Sequence, residues 1–177
     1  NEDTFVLYDK ADLYGFTMLS KENDFAGKTI KLGADIVVNA GAPSTWSAYQ
    51  KFRWLPIGEF AGTFDGANHT ISGIFFDGSQ GNAGLFSKTT KDAVLENFKL
   101  ENSYIKNADK AYTGSIVGYG NGTIHNVHSS AEVYSNNKYV GGLVGGNYGG
   151  DAGFTMTQCS FSGNVEGSFG GDIELGG

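Results

Sequence analysis

The sequence predicts an all-β fold, a parallel solenoid closed at its N-terminal end by one short helix. Three observations carry that expectation. The 177 residues include 28 Gly, 13 Phe, 9 Tyr and 2 Trp but only 2 Pro, which implies many turns and close backbone approaches, with aromatics filling a core that glycines cannot fill. Beyond Phe25-Ala26-Gly27 the chain reads as short apolar runs punctuated by Gly, Asn and Asp, the pattern of short strands joined by turns. Three of these segments then repeat at a period near 30 residues.

The cap comes first. TFVLY (4–8) is a short strand. Asp9 is placed to N-cap a helix over residues 10–22, with Asp12 as its reciprocal partner three positions on. Leu13, Phe16 and Leu19 make one apolar stripe, read as closing the end of a core. Residues 1–26 are therefore a strand-and-helix cap. Residues 27–80 are the first coils. In KTIKLGADIVV, Ile30 and Leu32 point inward, the chain turns at Gly33-Ala34-Asp35 and resumes at Ile36. GTFDGANHTISGIFF does the same through Phe64, a turn over Asp65-Gly66-Ala67-Asn68, then Ile71 and Ile74. An excursion over 39–55, NAGAPSTWSAYQKFRWL, interrupts these coils.

The repeats occupy 81–177. AGLFS (83–87), GSIVG (114–118) and GGLVG (141–145) superpose, as do LENFKLENSYI (95–105), IHNVHSSAEV (124–133) and MTQCSFSGNV (156–165). Leu85, Ile116 and Leu143 share a position; so do Phe86, Val117 and Val144, then Leu95, Ile124 and Met156, and then Phe98, Val127 and Cys159. Tyr104, Val133 and Val165 are aligned as well. In a parallel solenoid each strand pairs with its equivalent one coil away, about 4.8 Å off, so equivalent residues stack. Cys159 is then a small core hydrophobe, and Asn97, Asn126 and Gln158 form an amide ladder at a corner.

At this point the chain resembles a known family. Gly142-Leu143-Val144-Gly145 is similar to the GLUG motif, found in repeats of large bacterial surface proteins, including regions of some IgA-specific metallopeptidases. FAGKTIKLGADI, WLPIG, FAGTFDGANHTISGI and NAGLF resemble the block that precedes such repeats. Ser115 replaces the first glycine in one copy and Ser87 the last glycine in another. The resemblance implies a right-handed parallel β-helix on an exported or surface-anchored bacterial protein, as one module among several. It implies no activity. The start at Asn1 and the end in ELGG are read as those of a piece of a larger multidomain protein, with further modules, targeting and anchoring segments expected outside it.

Chemistry-bearing residues are few. Lys and Arg number 12 against 19 Asp and Glu, a net charge of −7 with no basic run, which argues against nucleic acid as a partner. A single cysteine excludes an internal disulfide framework and a cysteine zinc cluster, and no apolar run reaches membrane-spanning length. Glu59, Asp65 and His69 lie close in sequence and, with Asp35, would make an acid–base site if they converged in one groove; Asp65-Gly66 reads instead as a turn pair. His125 and His128 are three apart and fall on opposite faces of a strand unless a corner intervenes, so no metal site is expected. GGDIELGG lacks the spacing of calcium repeats. No cofactor and no catalytic residue is assigned.

The excursion exceeds what a coil requires. Trp46, Tyr49 and Arg53 are the candidate ligand-binding residues, since loops on a rigid scaffold carry binding groups, and Trp54 reads as structural. The expected function is a non-catalytic extracellular adhesion or scaffold module, binding a glycan or a host surface protein. The alternatives are a polysaccharide-degrading β-helix enzyme (lyase or hydrolase) and a pure stalk between other modules.

Overall fold

The computed structural model describes residues 3–46, 51–79, 81–108, 112–136, 139–147 and 153–167, and the backbone of 174–176. The chain opens with β1 (Thr4–Leu7) and α1 (Lys10–Leu19), followed by β2 (Thr29–Leu32) and β3 (Ile36–Val37). It then runs in circuits of three strands: β4 (Ile57–Phe60), β5 (Thr63–Ser72) and β6 (Phe75–Gly78); β7 (Phe86–Thr89), β8 (Val94–Glu101) and β9 (Tyr104–Asn107); β10 (Val117–Gly120), β11 (Gly122–Ser129) and β12 (Glu132–Ser135). After β13 (Tyr139–Gly141) come β14 (Val144–Asn147), β15 (Phe154–Thr157) with β16 (Ser160–Phe161), β17 (Asn164–Gly167) and β18 (Glu174–Gly176).

Every strand pairs in parallel with its counterpart one circuit away, so this is the expected solenoid. One sheet runs β1-β2-β5-β8-β11-β15, a second β4-β7-β10-β14 and a third β6-β9-β12-β17. Phe86, Val117 and Val144 stand in one register row, and Leu95, Ile124 and Met156 in another, as the repeat requires. These rows point inward because each coil can bury its apolar face only against the next. Met156 is nonetheless 42% exposed: it lies in the last described strand of its sheet, with no neighbour on its outer side.

One alignment is off by a residue. Val133 and Val165 stack on Ile105, and Tyr104 stands beside Glu132 on the outer face. Between the Leu100–Ser129 and Tyr104–Glu132 register pairs the earlier coil holds one residue more than the later, and Asn102 takes it up at φ 45°. The pattern of aromatic and β-branched residues was ambiguous between two adjacent positions, and burial picks the one that is fully covered.

Of the expected amide ladder, the rung between Asn126 and Asn97 forms, at a bend whose backbone Gln158 shares. Asn97, Asn126 and Gln158 all have left-handed backbones, at φ 57°, 51° and 55°, a conformation that asparagine tolerates better than other side chains. Asn126 Nδ2 donates to Asn97 Oδ1 (3.1 Å) and Asn97 Nδ2 to Asp65 Oδ1 (3.2 Å). In β5 the same bend takes two left-handed residues, Ala67 and Asn68, and appears as a bulge between Asp65 and His69. The expected turn there does not reverse the chain; it bends a continuous strand.

The helix is capped as expected. Asp9 Oδ1 accepts from the N–H of Ala11 and Asp12, and Asp12 Oδ2 accepts from Tyr8 N (2.9 Å). The helix stops at Leu19 rather than residue 22. Leu13 and Phe16 are buried, but Leu19 is 64% exposed, because six residues beyond Leu13 it has turned about 120° around the axis. Thr17 and Ser20 take the buried places. Gly15 sits exposed mid-helix with open space where a Cβ would go. Gly15→Ala is expected to stabilise the domain by about 0.5–1 kcal/mol by removing glycine's backbone freedom from the unfolded chain; a urea midpoint measures it.

The repeat glycines answer to backbone contacts. A Cβ on Gly118 would lie 2.8 Å from Ala83 N, and one on Gly145 2.4 Å from Thr113 N. Each motif's last glycine thus lets its coil settle on the preceding one. Ser115, at the motif's first glycine, is fully buried, and its hydroxyl has no hydrogen-bond partner among the described residues.

Candidate functional site

The excursion is stapled at its base by one buried side chain. Asn39 Oδ1 accepts from Phe52 N (2.6 Å), and its Nδ2 donates to Phe52 O (3.0 Å) and to Gly73 O (2.7 Å). Gly73 is required here: its φ is 80°, and a Cβ would lie 2.0 Å from Asn39 O. Sequence reasoning missed Asn39; its signal was a buried-capable amide at the first residue of an interruption.

Within the excursion, Pro43–Thr45 form one 3₁₀ turn, and Trp46 follows, half-buried. Its indole Nε1 donates to Ala40 O (2.9 Å), and its ring meets Phe75 edge-on with centroids 6.0 Å apart. Lys51 Nζ lies 3.9 Å from the centre of the Phe75 ring. Arg53 is exposed and makes no ion pair among the described residues, while its carbonyl accepts from Tyr14 Oη (2.6 Å). Burial raises the pKa of that tyrosine. Tyr49 lies outside the described residues. Trp54 is buried and donates through Nε1 to Gly84 O (3.2 Å), a structural role as expected.

Trp46 also begins an aromatic ridge on the outer face of the third sheet. Phe75 and Tyr104 stack at 5.8 Å, and Tyr134 lies against Tyr104 at 5.2 Å with its ring tilted by 35°. Rings one coil apart cover each other's faces, so the ridge presents edges and hydroxyls. Burial, with Asp77 nearby, holds the Tyr104 hydroxyl above its ordinary pKa.

The four acid–base candidates do not form one group. Glu59 projects from β4 and pairs with Lys88 (2.7 Å). Asp65 is on β5 in a different sheet, accepts from Ala67 N and Asn97, and lies 3.9 Å from Lys31. His69 Nδ1 meets Asp35 Oδ1 at 3.1 Å, and the same oxygen accepts from Thr70 N. Each carboxylate therefore has its own partner and serves a turn or a rung.

The Thr70 N–H, and after it His69, lower the pKa of Asp35. A folded-state pKa below the unfolded one contributes stability above the ordinary carboxylate range, and that stability is lost as pH falls through the folded value. Asp35 is exposed, so the effect is modest. The melting temperature of Asp35→Asn is expected to lie below that of the native chain at neutral pH and to converge with it in acid. A gap that persists unchanged in acid would rule the ionised carboxylate out as the cause.

His125 and His128 both face outward, contrary to simple alternation, because the left-handed Asn126 between them turns the strand. His125 Nδ1 meets Thr157 Oγ1 (2.7 Å), and His128 Nδ1 meets Ser160 Oγ (2.8 Å). The Ser160–His128 contact has the length of a nucleophile–base pair. The same contact recurs at His125 with threonine, and in both cases the partners are register neighbours in adjacent coils. These are rungs between coils. Among the described residues no three His, Cys, Asp or Glu side chains are placed to hold a metal ion. Cys159 joins the edge of the core, half-buried, as the repeat implied. Of GGDIELGG, only the backbone of 174–176 falls within the described residues.

Comparison with known proteins agrees with this architecture. Residues 136–166, which span one coil, match the GLUG motif. Halomucin of Haloquadratum walsbyi is 32% identical over 146 residues, which are 78% of this chain and 2% of Halomucin. The chain thus spans a small fraction of that relative's length. A crystal structure from Bacteroides ovatus, described as a candidate immunoglobulin A1 protease, superposes with a TM-score of 0.60 at 18% identity, covering 98% of this chain and 62% of the other. That likeness extends to the fold. No helix among the described residues is long and apolar enough to cross a membrane.

Proposed function

We propose that this chain is a non-catalytic module of an extracellular or cell-surface protein, a rigid scaffold that presents the 39–55 excursion to a glycan or a surface protein. The observation that carries the reading is the staple at Asn39. It holds an insertion that no coil needs, and the insertion displays Trp46, half-buried, and an exposed Arg53. Fixing the base of a loop before its ligand arrives lowers the entropic cost of binding. The GLUG match and the relation to Halomucin, a mucin by name, support an extracellular setting with other modules on the same chain. The separate pairing of Glu59, Asp65 and Asp35 supports a non-catalytic role.

The test is a panel of cell-wall and mucin-type glycans, scored for binding and for cleavage, with native protein and a Trp46→Ala/Arg53→Ala variant of unchanged melting temperature. Saturable binding by the native protein alone supports the reading. Cleavage of any glycan overturns the non-catalytic assignment, and absence of binding leaves a structural stalk.

A further inference from the structure

A polar depression of about 740 Å³ and a more apolar one of about 530 Å³ adjoin at Lys21, Glu59 and Ser87, which line both, and are taken together as one cleft. It lies between the turn that ends α1 and the outer face of β4 and β7. Its walls are held firmly. Ser20 Oγ accepts from Gly58 N (2.8 Å), and a Cβ on Gly58 would lie 2.2 Å from Ser20 O. Lys21 Nζ donates to Pro56 O (2.7 Å), which closes the floor and leaves two of its three N–H groups.

Ser87 is a second, independent sign. It occupies the register of Gly118 and Gly145, where the later motif copies need glycine to clear the preceding coil. In this copy a serine stands there and lines the cleft.

We infer that this cleft is a binding site for a neutral saccharide, with Glu59 and Asp24 accepting from ring hydroxyls, Lys21 and Ser87 donating, and the exposed Leu55 against an apolar ring face. Sugar hydroxyls need acceptors and donors side by side, and the lining supplies both signs of charge around a small apolar floor. An anionic ligand fits less well, since three carboxylates of the lining (Glu22, Asp24, Glu59) outnumber its two lysines. Burial lowers the pKa of Lys21, which marks it as partly withdrawn from water before a ligand arrives. The inference rests on the reading of the chain as a glycan-facing module but places the contact on a different surface from Trp46 and Arg53.

The experiment is an amide-resolved NMR titration of the native protein with xylotetraose, mannotetraose and chitotetraose, and with trigalacturonate as the acidic comparison, to about 10 mM. The expected result is saturable shifts at Lys21, Glu59 and Ser87 with at least one neutral sugar. Affinity should fall about tenfold in Glu59→Gln and in Ser87→Gly, and remain unchanged in Glu96→Gln, on β8 outside the lining of the cleft. Both substitutions are at partly exposed positions, and Ser87→Gly restores the motif's own residue, so folding is preserved. No shift with any neutral sugar, or tighter binding of trigalacturonate, overturns the inference. Binding lost in Trp46→Ala but kept in Glu59→Gln also overturns it while sustaining the excursion as the site.

Discussion

Phe64→Ala is expected to destabilise the protein by about 3–5 kcal/mol, the range for truncating a buried phenylalanine. Phe64 is fully buried on β5, and three aromatic partners reach it from different elements. Phe16 of α1 stacks at 6.2 Å, Phe86 of β7 meets it edge-on at 5.4 Å, and Phe98 of β8 at 5.3 Å. Removing the ring would therefore loosen the helical cap and two sheets together, and the surrounding coils cannot close the cavity without breaking their register. Phe52→Ala is the internal comparison. That ring is 53% exposed and meets Lys10 at 4.2 Å, so its loss is expected to cost under about 1 kcal/mol. Urea unfolding of the two variants measures the difference. Equal midpoints would mean that cap and coils do not share one core.

Gly145→Ala is expected to cost about 3 kcal/mol, at the upper end for overpacking. The added methyl group would lie 2.4 Å from Thr113 N, 2.6 Å from its carbonyl carbon and 2.7 Å from Gly118 O. All three are backbone atoms, which no side-chain rotation can move aside. Because each coil contacts only its neighbours, the damage should stay local. Hydrogen exchange is expected to accelerate strongly in β13, β14 and β17 while β5 and β6 remain protected. Uniform acceleration across all coils would show the solenoid unfolding as one unit. The same register position carries serine at Ser87, so the requirement comes from the coil beneath and not from the motif as such.

Much of the fold was legible in the residues. The rows headed by Leu85, Phe86, Leu95 and Phe98 and the ladder of Asn97 and Asn126 stand as the repeat placed them. The Asp9 cap and the buried Trp54 followed from local chemistry. The misplacement of Tyr104 came from one inserted residue, Asn102, and that of Leu19 from the rotation of a short helix. Of the candidate site, Trp46 and Arg53 were visible as an aromatic and basic interruption, whereas the staple at Asn39 and the cleft at Lys21 were not.

The sequence by itself determined which coils repeat and which rows of the long strands face inward. In-register parallel stacking sets each residue beside its own equivalent, so a periodic apolar pattern fixes those rows wherever no corner adds a residue. Only the tertiary structure decided which outward residues meet. His69 and Asp35 are 34 positions apart, Lys88 and Glu59 29, and His125 and Thr157 32. These partners lie one coil apart, and coil lengths differ with every corner and bulge. An outward side chain pays no burial penalty for standing one residue to either side, so no local pattern records its neighbour.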